Sequence, residues 1–387
     1  QSTSVLTPLE GRPRALIHDP FPAATNPLLL PPKKARGIYT QLGGPATWWN
    51  QDLKTPTQDR INVSLQRSLP GSFVVDTTFF MHFGRNVHDG SMWGGNYAMP
   101  RNMVDPNLVY THKGAVDARI PNPFFGMLPI DKMPGELRIS REIPVSQLLR
   151  PYPHYTTLSE MFRPGYKNRY YALQIQAQRP LVQGLNLILG YNYNREISSI
   201  FFNDIDLYQD KFTMMDRRRP RHYLRAVGTW ELPIGRGRRY LSDINRVLDL
   251  FVGGWATSHW LIWQGGSLLT FGAAEVTGDP RQNVPPDRWF NPAVFKVLPA
   301  YTPRTNPWYY DGLRGPRFWQ LDSTLVKYVP VTERVKLELR FEFYNLPNHF
   351  IESSPILTVG SGAMGRSTWV FGGNYGREVQ YTARFHW

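Results

Sequence analysis

Along much of the chain, apolar and polar residues alternate with a period of two. This is the spacing of β-strands, whose successive side chains point to opposite faces. In the last nine residues Val379, Tyr381, Ala383, Phe385 and Trp387 take one face, and Gln380, Thr382, Arg384 and His386 the other. Ile61, Val63 and Leu65 alternate with Asn62, Ser64 and Gln66, and a return strand sets Phe73, Val75, Thr77, Phe79 and Met81 against Val74, Asp76, Thr78, Phe80 and His82. Tyr171, Leu173, Ile175 and Ala177 alternate with glutamines, and Leu185, Leu187, Leu189, Tyr191 and Tyr193 with asparagines. Leu224, Ala226, Gly228, Trp230 and Leu232 follow, then Leu321, Ser323 and Leu325, then Val335, Leu337, Leu339, Phe341 and Phe343. The stretch from Trp255 to Gln264 alternates poorly, because Trp260 and Ile262 fall on the face that should be wet.

The connections alternate too. Short turns are expected at Pro70-Gly71, 179–184, 233–237 and 330–333, and long loops at 84–168, 196–220, 265–316 and 346–376. In a compact soluble domain such long loops count against the strand assignment. A transmembrane β-barrel requires them, with short turns on the periplasmic side and long loops outside. The pattern therefore predicts an all-β fold: an antiparallel transmembrane barrel, present in part, with about nine meandering strands of about eight to twelve residues, near the length that crosses a bilayer when tilted. Residues 1–59, dense in proline, are read as a loop-rich segment, and 60–387 as the C-terminal portion of the barrel. The wet face then lines a lumen, with Gln174, Gln176, Asn192, Arg225, Glu338, Arg340, Glu342 and Arg384 as its candidates. A soluble core built from such side chains would be costly.

Composition narrows the choice. Among 387 residues aromatics make up 14%, with 32 Gly and 34 Pro, which suits β structure with long loops. No run approaches the roughly 18 apolar residues of a membrane helix. Cysteine is absent, which removes disulfides, thiolate metal sites and cysteine nucleophiles. No leader-like segment opens the chain at Gln1, so it is read as part of a longer precursor. The formal net charge of +14 peaks at Arg217, Arg218, Arg219 and Arg221. Without a basic helical stripe, zinc-finger spacing or RNP-type motif, a basic lumen or loops facing anionic headgroups explains it better than nucleic acid, which is not expected as a partner.

Several segments resemble one family, the Oar-like TonB-dependent outer-membrane receptors. They include Asn50-Gln-Asp-Leu-Lys-Thr-Pro56 leading into Asn62-Val-Ser-Leu-Gln-Arg67, Arg119-Ile-Pro-Asn-Pro-Phe124 and Arg150-Pro-Tyr-Pro153. Glu231-Leu-Pro-Ile-Gly235, Gly253-Gly-Trp255, Leu313-Arg-Gly-Pro316 and Phe341-Glu-Phe-Tyr-Asn-Leu-Pro-Asn-His349 continue the series in the expected order. The resemblance implies a receptor with an N-terminal plug and a barrel of about 22 strands, energised by the TonB complex, of which this chain holds the C-terminal part. It also implies that Val379, Tyr381, Phe385 and Trp387 form the signal read by the outer-membrane barrel-assembly machinery. The plug and TonB box are not in this sequence, and the resemblance names no ligand.

Catalytic patterns are thin. Gly360-Ser-Gly362-Ala-Met-Gly365 matches G-x-G-x-x-G, but no helical pattern follows, so it reads as a loop tip. The histidines show no metal spacing, and no G-x-S-x-G elbow occurs. Asp216 and His222 read as a solvated barrel rim rather than a catalytic pair. Trp93, Tyr97, Trp308, Tyr309 and Tyr310 are candidates for stacking on a sugar or other planar ligand, against the commoner use of aromatics in packing a loop. The expectation is an outer-membrane receptor that is not an enzyme and carries no cofactor. It would capture a nutrient, carbohydrate among the candidates, in its loops and pass it through the lumen, with lipid, assembly machinery and TonB complex as partners. Two alternatives stand beside it: an adhesive or structural barrel without transport, and a soluble carbohydrate-binding β protein.

Overall fold

The computed structural model describes residues 33–87, 98–217, 219–332, 334–369 and 376–387. The chain divides into two compact units, Gln1–Trp48 with Ala98–Glu160, and Trp49–Tyr97 with Met161–Trp387.

The larger unit is a wall of antiparallel strands: β1 (Thr57–Leu69), β2 (Phe73–Val87), β3 (Tyr166–Val182), β4 (Leu185–Ile200), β5 (His222–Glu231), β6 (Trp255–Gln264), β7 (Phe318–Pro330), β8 (Lys336–Tyr344) and β9 (Glu378–His386). Each pairs with the next, so strand order in the sheet is chain order, and among the described residues β1 and β9 do not pair with each other. Several strands exceed the expected length, β3 reaching 17 residues. The β3–β4 turn shows how the chain reverses so tightly. Gln183 and Gly184 have φ of 51° and 78°, the left-handed pair of a primed hairpin turn, whose twist matches the flanking strands. A Cβ at Gly184 would also stand 3.0 Å from the Glu231 carbonyl, so only glycine lets the neighbouring strand end approach.

Register turns nine separate alternations into two continuous faces. Leu65 lies opposite Thr77, and the row continues through Ile175, Tyr191, Leu224 and Trp263 to Trp319. On the other face Gln66, Asp76, Gln176, Gly190, Arg225, Ile262 and Gln320 form a parallel row. The apolar face is not covered by protein: Leu65 is 70% exposed and Tyr381 72%. Burying one such side chain is worth about 1.5–3 kcal/mol, and a bare face of this extent in water would be unstable.

The long connections hold their own structure. After β4 the chain forms a short helix, Asp204–Tyr208, capped by Asn203, and then a tenth strand, Thr213–Asp216, folds back on the end of β4. The segments 265–316 and 346–376, expected as long loops, supply a buried cluster of Leu269, Phe271, Ala274, Phe290, Phe295, Leu313 and Met364. No period of two or 3.6 announces it, because its apolar residues come from turns and two-stranded scraps such as Ala274–Val276 with Phe295–Val297. The β5–β6 connection is likewise no short turn. It extends past 237 to a helix, α1 (Arg246–Val252).

The smaller unit shows that the long connection expected at 84–168 carries a core of its own. β2 continues to Val87 and β3 begins at Tyr166, and between them Met133, Leu137 and Ile143 form a core with Leu42, Ile120, Phe124 and Leu128 around it. Side-chain amides replace strand ladders there. Asn122 Nδ2 donates to the carbonyls of Leu137 and Ser140, both at 2.6 Å, and Gln147 Nε2 to those of Pro153 at 2.6 Å and Tyr155 at 2.8 Å. Buried backbone carbonyls must find a donor, and amide side chains supply one with no periodic signature. Residues 33–59 also hold structure, a 3₁₀ segment at Lys33–Tyr39 and a strand at Ala46–Trp49, and β1 starts three residues before 60.

Candidate functional site

Three polar groupings lie in the larger unit. The first is on the wet face at the end of the wall. Glu338 stands in register between Tyr328 and Arg384, and Arg340 between Val326 and Thr382. Because residues two apart on a strand share a face, Arg340 Nη2 reaches Glu338 Oε1 at 2.8 Å and its Nη1 lies 3.7 Å from Glu342. His386 Nε2 closes the chain on Glu338 Oε2 at 2.8 Å. Glu338 is only 5% exposed. Its partners leave it less free than a lone lumen carboxylate, and His386 joins the expected residues because alternation alone cannot show which neighbour a carboxylate selects.

Gln174 is opposite Thr78 and Asn192, and Gln176 opposite Asp76 and Gly190. Arg225 stands between Gly190 and Ile262. The eight lumen candidates thus share one face, but they are spread over five strands and do not converge on one point. The poor alternation of β6 is real: Trp260 lies on this wet face opposite Val227 and Asp322, and both Trp260 and Val227 are 43% exposed. The opposite face of β6 carries His259, whose Nδ1 is 2.8 Å from Ser323 Oγ and whose Nε2 is 3.0 Å from Thr257 Oγ1. Mutual hydrogen bonding lets three polar groups sit on an otherwise apolar face.

The second grouping is at the strand mouth. Asp216 Oδ2 accepts from Arg195 Nε at 2.9 Å and Arg221 Nη2 at 2.6 Å, while Glu196 lies 3.3 Å from Arg219 and 3.9 Å from Arg217. Asp216 is 4% exposed while the Arg219 side chain is 73% and that of Arg195 46% exposed, so the rim encloses one buried carboxylate beneath arginines that still reach water. Charges packed this tightly need partners on every side. His222 does not meet Asp216; its Nδ1 is 2.8 Å from the Tyr191 hydroxyl.

The third is the loop core. Arg304 is stacked 3.7 Å over the Trp308 ring and donates to the Phe271 carbonyl at 2.6 Å, and Trp308 Nε1 donates to the Phe202 carbonyl at 3.1 Å. Tyr310 packs edge-on to Phe271 at 5.7 Å and to Phe295 at 6.2 Å. Burial pushes its phenol above the ordinary range and the Arg304 guanidinium below it. Trp308 and Tyr310 therefore spend their rings on packing, Tyr309 is half-buried, and Trp93 and Tyr97 lie outside the described residues. The glycine-rich 360–365 segment is a turn tip held by Arg288, which donates to the carbonyls of Met364 and Gly362.

Of the terminal signal residues, Tyr381 meets Phe341 edge-on at 5.7 Å, while Val379, Phe385 and Trp387 are exposed on the apolar side of β9 or just beyond its end. Among the described residues no helix is long and apolar enough to cross a membrane, and no group of three or more potential ligands is placed to hold a metal.

The family model described as an outer membrane beta barrel domain matches residues 1–380. Comparison with curated proteins finds no match. Among solved structures the chain is similar to the outer membrane transporter YddB from Escherichia coli, at 9% identity and a TM-score of 0.36, over 89% of this chain and 34% of that one. It is also similar to the chain in the FpvAI–pyocin S2 complex, at 9% identity and TM-score 0.37, over 86% of this chain and 28% of that one. A third is FpvA of P. aeruginosa bound to heterologous pyoverdines, at 10% identity and TM-score 0.37, with 86% and 28% covered. This chain spans about a third or less of the length of each. With an exposed apolar face running across the wall and a family match over nearly its whole length, the chain belongs to the outer membrane beta barrel domain family and resides in the bacterial outer membrane.

Proposed function

We propose that this chain is the C-terminal part of the barrel of an Oar-like TonB-dependent receptor, acting in capture and uptake rather than catalysis. The observation that carries the reading is the wet face: Gln174 with Asn192, Gln176, Arg225 and the Glu338–Arg340 pair share one side of the wall. Such a face offers hydrogen bonds to a hydrated solute and nothing to lipid. In this reading a ligand is bound outside and moves past these side chains when a plug, energised through TonB, gives way. Assembly into the membrane then uses Val379, Tyr381, Phe385 and Trp387.

The test is uptake by cells carrying the intact protein, with and without a working TonB complex, using labelled oligosaccharides and chelated iron as probes. Accumulation that needs TonB, with surface binding kept in its absence, supports a transporter. Binding without accumulation in either strain supports the adhesive reading, which is favoured by loops that pack into a core of their own rather than displaying their aromatic rings.

A further inference from the structure

The β5–β6 connection is built as more than a reversal of the chain. Tyr240 N–H donates to the Pro233 carbonyl and Gly235 N–H to the Tyr240 carbonyl, both at 2.9 Å. Asp249 Oδ1 accepts from Arg236 N–H at 2.7 Å, and Asn245 caps α1 by accepting from Leu248 N–H at 2.9 Å. Trp255 Nε1 donates to the Phe251 carbonyl at 2.8 Å, and Lys327 Nζ to that of Gly253. A segment pinned at this many points holds one conformation. Yet it leaves Phe251 71% and Val247 66% exposed, beside Leu248 and Leu241. Exposed apolar side chains on a well-ordered segment call for a cover.

The neighbourhood says what covers them. The connection leaves β5 one residue after Trp230 and enters β6 at Trp255, two residues of the lipid-facing side, so its apolar surface continues that side at the periplasmic end, where aromatic residues meet headgroups. Next to it a cavity of about 820 Å³ is lined by Arg179, Arg238, Arg239, Tyr240, Leu185 and Trp230 among others. Arg238 is 3.6 Å from Glu231. Arg239 lies over the Tyr240 ring at 5.5 Å, and Arg179 5.8 Å from the centre of the Phe73 ring with its Nε buried and, among the described residues, without a hydrogen-bond partner. Arg179 and Arg239 thus offer two cationic heads above an apolar floor.

We propose that this connection is an interfacial anchor that seats one anionic phospholipid of the inner leaflet. The headgroup phosphate lies between Arg179 and Arg239, and the acyl chains run along Leu185 and Trp230. α1 lies in the interface with Val247 and Phe251 among the first methylenes. An interfacial helix of this kind combines apolar burial with attraction to anionic lipid. The ammonium of a zwitterionic headgroup is repelled by the same two arginines, and each arginine at a charged surface favours the anionic lipid by roughly fivefold.

The test places the intact protein in nanodiscs of phosphatidylethanolamine and phosphatidylglycerol at a ratio of about 4:1 and compares tryptophan quenching by brominated forms of each lipid. Enrichment of phosphatidylglycerol at the protein by about fivefold or more over the bulk ratio is expected. Arg179→Gln with Arg239→Gln should return it to the bulk ratio, while Phe251→Ser should reduce quenching by both lipids alike. Heat-modifiable gel mobility reports that each variant is folded. Bulk-like occupancy around the unaltered protein overturns the site whatever the variants do, and so does enrichment that survives in the folded double variant.

Discussion

Phe271 and Phe385 are the same side chain in opposite circumstances. Phe271, in the loop core, is 1% exposed and packs against Phe290, Phe295 and Tyr310, whereas Phe385, on the last strand, is 55% exposed. The loop core is stabilised as in a soluble domain, by protein covering protein. The wall is stabilised only when hydrocarbon covers it. Two solvents therefore act on one unit, and the two regions should fail differently.

The largest expected effect is in the loop core. Phe290→Ala leaves a cavity where the ring is 0% exposed, and such truncations cost about 3–5 kcal/mol. Protease sensitivity of 265–316 should rise sharply while heat-modifiable mobility of the barrel stays the same. Loss of the barrel band together with the loops would show that the regions are one cooperative unit. Next comes Leu339→Arg on the apolar face of β8, expected to lower stability in lipid vesicles by roughly 2–4 kcal/mol if it sits near the midplane. Folding yields equal to wild type would remove the assigned facing. On the opposite face, Glu338→Gln keeps the shape but loses charge-assisted bonds to Arg340 and His386, and with Glu338 only 5% exposed the loss is about 1.5–3 kcal/mol. A loss well under about 1 kcal/mol in denaturant titration would mean that water screens these pairs.

The smallest effect is one of pH. A hydrogen bond from Arg281 holds the Asp279 carboxyl below its usual range, and one from Arg366 does the same for Asp287. Since these groups ionise more readily in the folded loops than in the unfolded chain, their contribution is present above the ordinary carboxylate pKa of about 4 and fades as pH falls through the lower folded value. Loop protection from protease should be flat from about pH 7 to 5 and decline below about pH 4, and Asp287→Asn should flatten part of that decline.

How much could be read beforehand differs between the regions for a physical reason. A strand that faces two different environments must alternate, so Leu337, Leu339, Phe341 and Phe343 against Lys336, Glu338, Arg340 and Glu342 declared their facing in one dimension, and the observed register agrees. The loop core carries no such constraint. Phe271, Phe290 and Met364 meet from far apart through irregular backbone, and Asn122 or Gln147 serving a distant carbonyl leaves no spacing to detect. The buried state of Asp216 was hidden for a related cause: the nearby arginines were visible, but whether they solvate a rim or enclose a carboxylate depends on how the strand Thr213–Asp216 folds back on β4.

The sequence by itself determined most of the wall: where its nine strands run, which side of all but β6 is greasy, and the order in which they pair, because alternation and turn chemistry act between near neighbours. Only the tertiary structure decided what lies between the strands. It turned long loops into a packed core, made Glu338 select Arg340 and His386, and pinned an apolar α1 into the β5–β6 connection, since each of these depends on residues that approach only after the chain has folded.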